Sequence, residues 1–430
     1  MSLPNTLEGW LERLEHQHPV AIDLGLERVE QVAYRLGLLD TPPAKCIITV
    51  AGTNGKGSTV AMLEALAQAH GLSTASYTSP HLLRYNERVH LDGVEASDDA
   101  FIRAFTAIEA ARGDISLTYF EAGTLAALVL IAERRPELAI LEVGLGGRLD
   151  AVNVIAPDVA VVTTVAHDHA AFLGNDLESI GYEKAGIMRA GRPVVLGSER
   201  LPASVHAHAV ALPVSSVYQL GQEYGRLIDQ AGWGWWGRNT TGASLRLEAL
   251  PDPELPLDNA ATALQAFILA GFSPVISQTR KAFASVRLPG RMQWLGHWCL
   301  DVAHNPHAAA YVAARLASRV PKRRIALLGM LGDKDASGVV EALAPVIDGW
   351  VVATLDGERA RSAKALAEHV RASGGEVLCE VASPYDGAKW LEALPDNDIE
   401  ILVCGSFFTV AAVLAYLEPG KHGYQAEESA

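Results

Sequence analysis

The sequence predicts an α/β protein in two units: a larger one with a mainly parallel sheet and a small β insertion, then a smaller α/β unit. Short apolar runs rich in β-branched residues alternate with helix-like stretches for most of the chain, the pattern that winds strands into parallel sheets. A length of 430 residues exceeds what one ordinary core holds, so more than one domain is expected. A composition of 49% hydrophobic and 20% charged residues suits packed globular domains and excludes a disordered chain.

Taken in order, residues 1–15 carry acids in an amphipathic pattern and lack the basic-then-apolar signature of a leader. Residues 46–50 (CIITV) read as a short strand, followed by a glycine-rich turn and a helix over about 58–69. Residues 138–143 and 159–165 read as two more buried strands, each ending in polar residues. Open α/β sheets present ligands at the carboxyl ends of their strands, so a site belongs at those polar ends. From 215 to 256 the character changes, and AGWGWWGR (231–238) reads as part of a small antiparallel insertion. Its tryptophans serve either hairpin packing or a ligand platform. Helical patterning resumes at 259–270. The stretch around RLPGRM (287–292) reads as a linker, which divides the chain into domains 1–286 and 297–430 joined by 287–296. The second domain is expected to place strands at 298–302, 324–329, 349–354 and 399–404, and residues 421–430 read as a frayed polar tail.

The formal net charge of −15 argues against nucleic acid as the main partner, because phosphate backbones need a basic face. Small anionic substrates remain open to it, held by backbone dipoles and a few cations. The longest apolar run, near 125–132, is too short to cross a bilayer. Four cysteines without C-x-x-C spacing (Cys46, Cys299, Cys379 and Cys404) read as reduced, packed thiols of a cytoplasmic protein.

Between the first strand and its helix runs Val50-Ala51-Gly52-Thr53-Asn54-Gly55-Lys56-Gly57-Ser58-Thr59. Glycines let successive N–H groups turn inward around phosphate, and the helix amino terminus adds a favourable dipole. Gly55, Lys56, Gly57 and Ser58 would then cradle the phosphates of ATP, with Lys56 offsetting their charge and Ser58 ligating Mg2+. The run departs from G-x-x-x-x-G-K-[ST] in having Val50 at the first glycine and Gly57 between lysine and serine. A glycine-rich turn without phosphate is the alternative.

Further dense blocks follow: Ser79-Pro80-His81-Leu82, Arg84-Tyr85-Asn86-Glu87-Arg88-Val89 and Thr118-Tyr119-Phe120-Glu121. After them come Glu142-Val143-Gly144-Leu145-Gly146-Gly147-Arg148-Leu149-Asp150, Asp168-His169 and Glu183-Lys184-Ala185-Gly186-Ile187. Glu142 closes an expected buried strand, where a carboxylate is costly unless paired or metal-bound. In kind and order these blocks resemble the folylpolyglutamate synthase family, relatives of the Mur ligases, over about Ile22 to Val410.

The resemblance implies a phosphate-loop ATPase domain followed by a Rossmann-like α/β domain. It implies a monomeric ligase that joins L-glutamate to dihydropteroate or a folate through an acyl phosphate, with ATP, two Mg2+ ions and a K+ ion. Ser58, Ser79, Glu142 and His169 would be the metal ligands, although hard Mg2+ prefers oxygen and His169 is the least expected on chemistry alone. Lys184 matches a lysine that carries a carbamate in similar enzymes (N6-carboxylysine); a neutral, partly buried amine could react so. ATP would be met from the other side by Asn259 in DNAATAL, Arg291 in LPGRM and Asp301 in DVAHNPHA. His304 would help, and Asn305 would either help or cap a helix. For the pterin-bearing substrate the likeness points to Asp23, Leu24, Gly25 and Leu26, to Thr118, Tyr119, Phe120 and Glu121, and to Leu149, Asp150 and Ala151. Phe120 would supply a stacking face, or simply pack, while Glu121 and Asp150 would pair with pterin N–H donors.

Three blocks depart from the family pattern. D-H-T-D-W-L-G stands here as Asp168-His169-Ala170-Ala171-Phe172-Leu173-Gly174, LDATN has Val152 for its threonine, and CGSFHTV has Phe408 for its histidine. Two rival readings are a cell-wall Mur ligase and an ATPase that drives movement. The first would be expected to carry an additional domain before the phosphate loop, which begins here by Gly52; the second leaves the far-domain blocks unexplained.

Overall fold

The computed structural model describes residues 3–20, 22–168, 170–174, 176–229, 232–357, 359–395 and 398–419. The chain forms two compact units: one of 1–81 with 85–286, the other of 82–84 with 287–430.

The first unit is built on an eight-stranded sheet. Its strands are β1 (Cys46–Ala51), β2 (Thr74–Tyr77), β3 (Val89–Leu91), β4 (Val94–Glu95), β5 (Leu138–Glu142), β6 (Val159–Val162), β7 (Pro193–Leu196) and β8 (Ser216–Gln219), in the order β4-β3-β2-β5-β1-β6-β7-β8. The β3–β4 hairpin runs antiparallel at one edge, and the rest is parallel. Ala139 and Leu141, alternate residues of β5, join one cluster with Phe101, Phe105, Leu125 and Leu128 from helices Asp98–Arg112 and Tyr119–Arg134. β1, β5 and β6 are adjacent and parallel, so their carboxyl ends open side by side.

The insertion is a separate antiparallel sheet of β9 (Gly225–Asp229), β10 (Gly232–Arg238) and β11 (Ser244–Leu250). It begins later than expected, because Ser216–Gln219 extends the parallel sheet instead. Trp233 and Trp235 are buried, and their indole N–H groups donate to the carbonyls of Pro251 (2.7 Å) and Ala261 (3.2 Å). Packing is therefore what these two tryptophans do.

The second unit holds β12 (Gln293–Leu295), β13 (Trp298–Leu300), β14 (Arg323–Leu328), β15 (Gly349–Ala353), β16 (Val377–Val381) and β17 (Ile399–Cys404), ordered β12-β13-β17-β14-β15-β16. Strict alternation sorts their side chains. Ala326, Leu328, Trp350, Val352, Leu402 and Cys404 enter one cluster, while Ile325, Leu327, Val351, Ala353, Ile401 and Val403 enter the other. Both faces are buried, which is why these strands read as continuous apolar runs. The stretch expected as linker, 287–296, is partly strand: Gln293–Leu295 turns through Gly296 (φ +62°) and pairs antiparallel with Trp298–Leu300. The expected tail at 421–430 lies outside the described residues, among which no helix is long and apolar enough to cross a membrane.

Candidate active site

The glycine-rich turn leaves the end of the central strand β1 and enters helix Lys56–Ala69 at Gly55. Gly52 has φ +153°, and a Cβ there would lie 1.8 Å from Thr163 Oγ1. Gly55 has φ +88°, and its Cβ would meet the Asn259 amide at 2.8 Å. Neither position admits a side chain. The loop is held from β6: Thr53 N–H donates to the Thr164 carbonyl (2.8 Å), Asn54 N–H to Thr164 Oγ1 (3.0 Å), and Thr163 Oγ1–H to the Asn54 carbonyl (2.7 Å). Gly55 offers no side-chain cap at the helix start, where the helix dipole favours an anion. Lys56 Nζ folds back to the Gly52 carbonyl (3.0 Å), so its ammonium stands over the turn, and Ser58 is buried one residue beyond Gly57.

Glu142 ends β5 in register with Val50 and is 5% exposed. β2 ends beside it, and Ser79 N–H donates to Glu142 Oε2 at 3.3 Å. Strand geometry thus brings Ser79, Glu142 and the phosphate loop together. Among the described residues there is no group of three or more His, Cys, Asp or Glu side chains, so a dedicated protein cage is absent there. One carboxylate with two hydroxyls beside a phosphate cradle is instead a donor set for Mg2+, which keeps water and phosphate oxygens as ligands. His169 lies outside the described residues.

Lys184, on helix Leu177–Ala185, is 4% exposed. Burial, then the like charge of Lys56, pushes its ammonium down to about 7, against the pull of Asp168 and Asp150. A fraction of neutral amine therefore exists at neutral pH.

The residues expected at the substrate come from three segments of the first unit. Thr118 caps helix Tyr119–Arg134, and Phe120 lies half-buried with its ring on Gly144. Asp23, Leu24, Gly25 and Leu26 form an irregular, half-buried segment before helix Glu27–Arg35. Leu149 is half-buried, and Ala151 belongs to the core. Glu121 and Asp150 also have partners within the protein. Glu121 Oε2 accepts the Thr118 N–H (2.7 Å) in a capping box, and Oε1 accepts from Arg28 (2.9 Å). Asp150 Oδ2 accepts from Leu145 N–H (2.8 Å) and Oδ1 from Val152 N–H (3.0 Å). Burial, opposed by these backbone bonds, lifts the Asp150 carboxyl to about 6. Both carboxylates organise the protein's own turns.

In the second unit, Asp301 follows β13 and is buried; it accepts from the N–H groups of Met292 (2.9 Å) and Ala303 (2.8 Å). Burial raises its carboxyl, and Arg291 opposes the rise. The Arg291 guanidinium stands 5.6 Å from the Phe407 ring centroid, and His304 Nδ1 lies 2.9 Å from the Val302 carbonyl. Asn305 caps helix Pro306–Ala317. Of the residues expected on ATP, Asn259 thus joins the phosphate loop, while Arg291 and Asp301 gather in the second unit. Sequence reading missed Thr163 and Thr164, whose signal was a pair of hydroxyls closing a buried strand.

The Mur ligase middle domain model matches residues 50–196, and the Mur ligase glutamate ligase domain model matches residues 290–407. The dihydrofolate synthase/folylpolyglutamate synthase of Escherichia coli (strain K12) is 44% identical, with 97% of each chain covered. The solved structure of E. coli FolC in complex with DHPP and ADP superposes with a TM-score of 0.90 at 43% identity, covering 96% of this chain and 98% of that one. The Yersinia pestis bifunctional folylpolyglutamate synthase/dihydrofolate synthase complexed with AMPPNP and Mn ion gives 0.89 at 44%, covering 97% and 100%.

Proposed function

Since the chain belongs to the dihydrofolate synthase/folylpolyglutamate synthase family of Mur ligases, it is an ATP-dependent amide-forming ligase, and we propose the following division of labour among its residues. It joins L-glutamate to 7,8-dihydropteroate, giving dihydrofolate, and adds further glutamates to reduced folates. The observation that carries this reading is one loop, Gly52 to Ser58, with Ser79 and Glu142 a hydrogen bond apart at the neighbouring strand ends.

The amino terminus of helix Lys56–Ala69, with the Lys56 ammonium, holds the ATP phosphates and offsets charge as the substrate carboxylate oxygen takes the γ-phosphoryl group. ADP leaves, and the resulting acyl phosphate is attacked at carbon by the glutamate amine, which loses a proton as phosphate departs. No protein nucleophile is needed. Ser58, Ser79 and Glu142, joined by His169, would hold Mg2+, which when bound polarises the γ-phosphoryl oxygens. Asn259 holds the nucleotide at the loop; Arg291 and Asp301 hold it from the second unit, where Asp301 also fixes Met292 and so the backbone carrying Arg291. His304, two residues past Val302, assists there. Lys184 takes up CO2: its neutral nitrogen bonds the carbon and sheds a proton, giving a carbamate for a second Mg2+. Labelling with 13C-bicarbonate checks this by the carbamate carbon resonance, lost in Lys184→Met. Phe120 stacks on the pterin, flanked by residues 23–26 and 149–151. The enzyme acts as a cytoplasmic monomer, its four cysteines free thiols.

The test is ADP release dependent on both glutamate and dihydropteroate. Turnover without dihydropteroate, or with a uridine-linked carboxylate in its place, would overturn the assignment.

A further inference from the structure

Two of the segments assigned to the pterin substrate have no strand or helix in common. Residues 22–25 are irregular, and Thr118–Glu121 open a helix some ninety positions later. One side chain joins them. Arg28, in the first turn of helix Glu27–Arg35, sends Nη1 to Asp23 Oδ2 at 2.7 Å and Nη2 to both the Asp23 carbonyl at 2.7 Å and Glu121 Oε1 at 2.9 Å. Its Nε reaches Glu121 Oε1 at 3.2 Å. The guanidinium fork therefore meets two carboxylates and a carbonyl at once, an arrangement that a point-charged lysine cannot reproduce.

The partners make this more than a surface ion pair. Glu121 is 3% exposed and already closes the capping box with Thr118, so its position is set by the helix before Arg28 arrives. Asp23 is the variable end, 40% exposed on a segment with no ladder of its own. Arg28 thus transfers the rigidity of the capped helix to the segment 23–26. It also brings a positive charge between two carboxylates that would otherwise repel each other and the anionic carboxylate of an incoming pteroate.

We propose that Arg28 is a positioning residue for the pterin-bearing substrate, clamping segment 23–26 against the Thr118–Glu121 turn so that both reach the ligand already ordered. The proposal rests on the substrate reading above. Its consequence falls on substrate affinity, since the phosphate loop and its Ser79–Glu142 bond lie on other elements.

The experiment compares Arg28→Gln and Arg28→Lys with the full-length enzyme in steady-state ligation, alongside hydrogen exchange of the unliganded proteins. Losing one partner of a charge pair whose Glu121 end is buried gives an expected rise in KM for dihydropteroate of about tenfold in Arg28→Gln. KM for ATP and kcat at saturation stay within about twofold, because uniform substrate binding alone is removed. Arg28→Lys, with a charge but no fork, falls between, at about threefold. Amides 23–26 exchange faster in Arg28→Gln, while those of helix Tyr119–Arg134 keep their protection. An unchanged KM for dihydropteroate, or equal rises in both KM values with lost protection throughout the helix, overturns the clamp. Wild-type enzyme that fails to turn over dihydropteroate overturns the ligase assignment instead; the clamp is then decided by exchange alone, and wild-type protection of 23–26 in Arg28→Gln refutes it.

Discussion

Gly144→Ala isolates the contact on which the stacking role of Phe120 depends. Gly144 is not among the positive-φ glycines, so alanine meets no backbone strain there and the effect is steric. The new Cβ would stand 2.4 Å from Phe120 Cζ, 2.6 Å from Cε2 and 3.1 Å from Cε1. Carbon atoms rest at about 3.5 Å or more, so the ring must retreat by about 1 Å. Tyr77, fully buried with its ring centroid 6.3 Å from that of Phe120, limits retreat inward. The ring therefore swings outward, at a cost of about 1–3 kcal/mol for overpacking. Two assays read the outcome. Urea unfolding of the first transition should show that loss, and KM for dihydropteroate should rise about tenfold, as a misplaced stacking face costs roughly 1–1.5 kcal/mol. In a Phe120→Ala background the same change should be neutral within about 0.5 kcal/mol, because the clashing atoms are gone. Equal destabilisation in both backgrounds, or an unchanged KM, would refute the contact as the cause.

Lys56→Ala and Glu142→Ala should each lower kcat by about a hundredfold or more while leaving the urea midpoint near that of wild type, since both act on developing charge. ADP release that stays near normal in either would place the chemistry elsewhere. Lys184 should impress a pH dependence on stability. Its folded value of about 7 lies below its ordinary 10.5, so the unfolded chain carries the extra proton between them. Stability then rises with pH across that window, by at most about 1.4 kcal/mol per unit, and is flat below it. In metal-free, CO2-depleted buffer Lys184→Met should lack this slope; a parallel pair of curves would contradict the buried ammonium. In the second unit Arg324 Nε meets Glu400 Oε2 at 2.7 Å, both buried. Glu400→Leu should cost about 3–5 kcal/mol by leaving the guanidinium uncompensated, and Arg324→Met added to it should recover much of that loss.

Much of this was readable from residues because the chemistry constrains the backbone. A turn that wraps phosphate needs glycine at Gly52 and Gly55, and a strand buried on both faces reads as an apolar run, as 401–404 does. What escaped was decided by pairing across the chain. Gln293–Leu295 has a tryptophan between two ordinary residues and becomes a strand only because Gly296 turns it onto Trp298–Leu300. Ser216–Gln219 is half polar and joins the parallel sheet only because β7 offers its edge. The protein partners of two carboxylates also went unread: Thr118-Tyr119-Phe120-Glu121 spells a capping box, and an aspartate two residues before Val152 can close an Asx turn. Side-chain chemistry suggests a ligand partner. Local backbone geometry supplies a protein partner as well.

The same distinction sorts two of the three departures from the family pattern. Val152 is fully buried in the core beside Ala151, and it serves Asp150 through its backbone N–H, which valine and threonine share. Losing the hydroxyl there leaves the turn intact. Phe408 is 65% exposed in the first turn of helix Phe407–Leu417, whereas its neighbours Ser406 and Thr409 are buried and fix the turn to the Gly329 carbonyl. The ring near Arg291 is that of Phe407, so the change at 408 alters surface rather than that contact. Ser58, Ser79 and Glu142 have no such latitude. Ser58 lies in the first turn of the helix after the phosphate loop, Glu142 ends β5 in register with Val50, and the Ser79 N–H meets its carboxylate. In the proposed mechanism a charge misplaced by an ångström slows phosphoryl transfer, so substitution at these three is expected to cost more than the changes at 152 and 408.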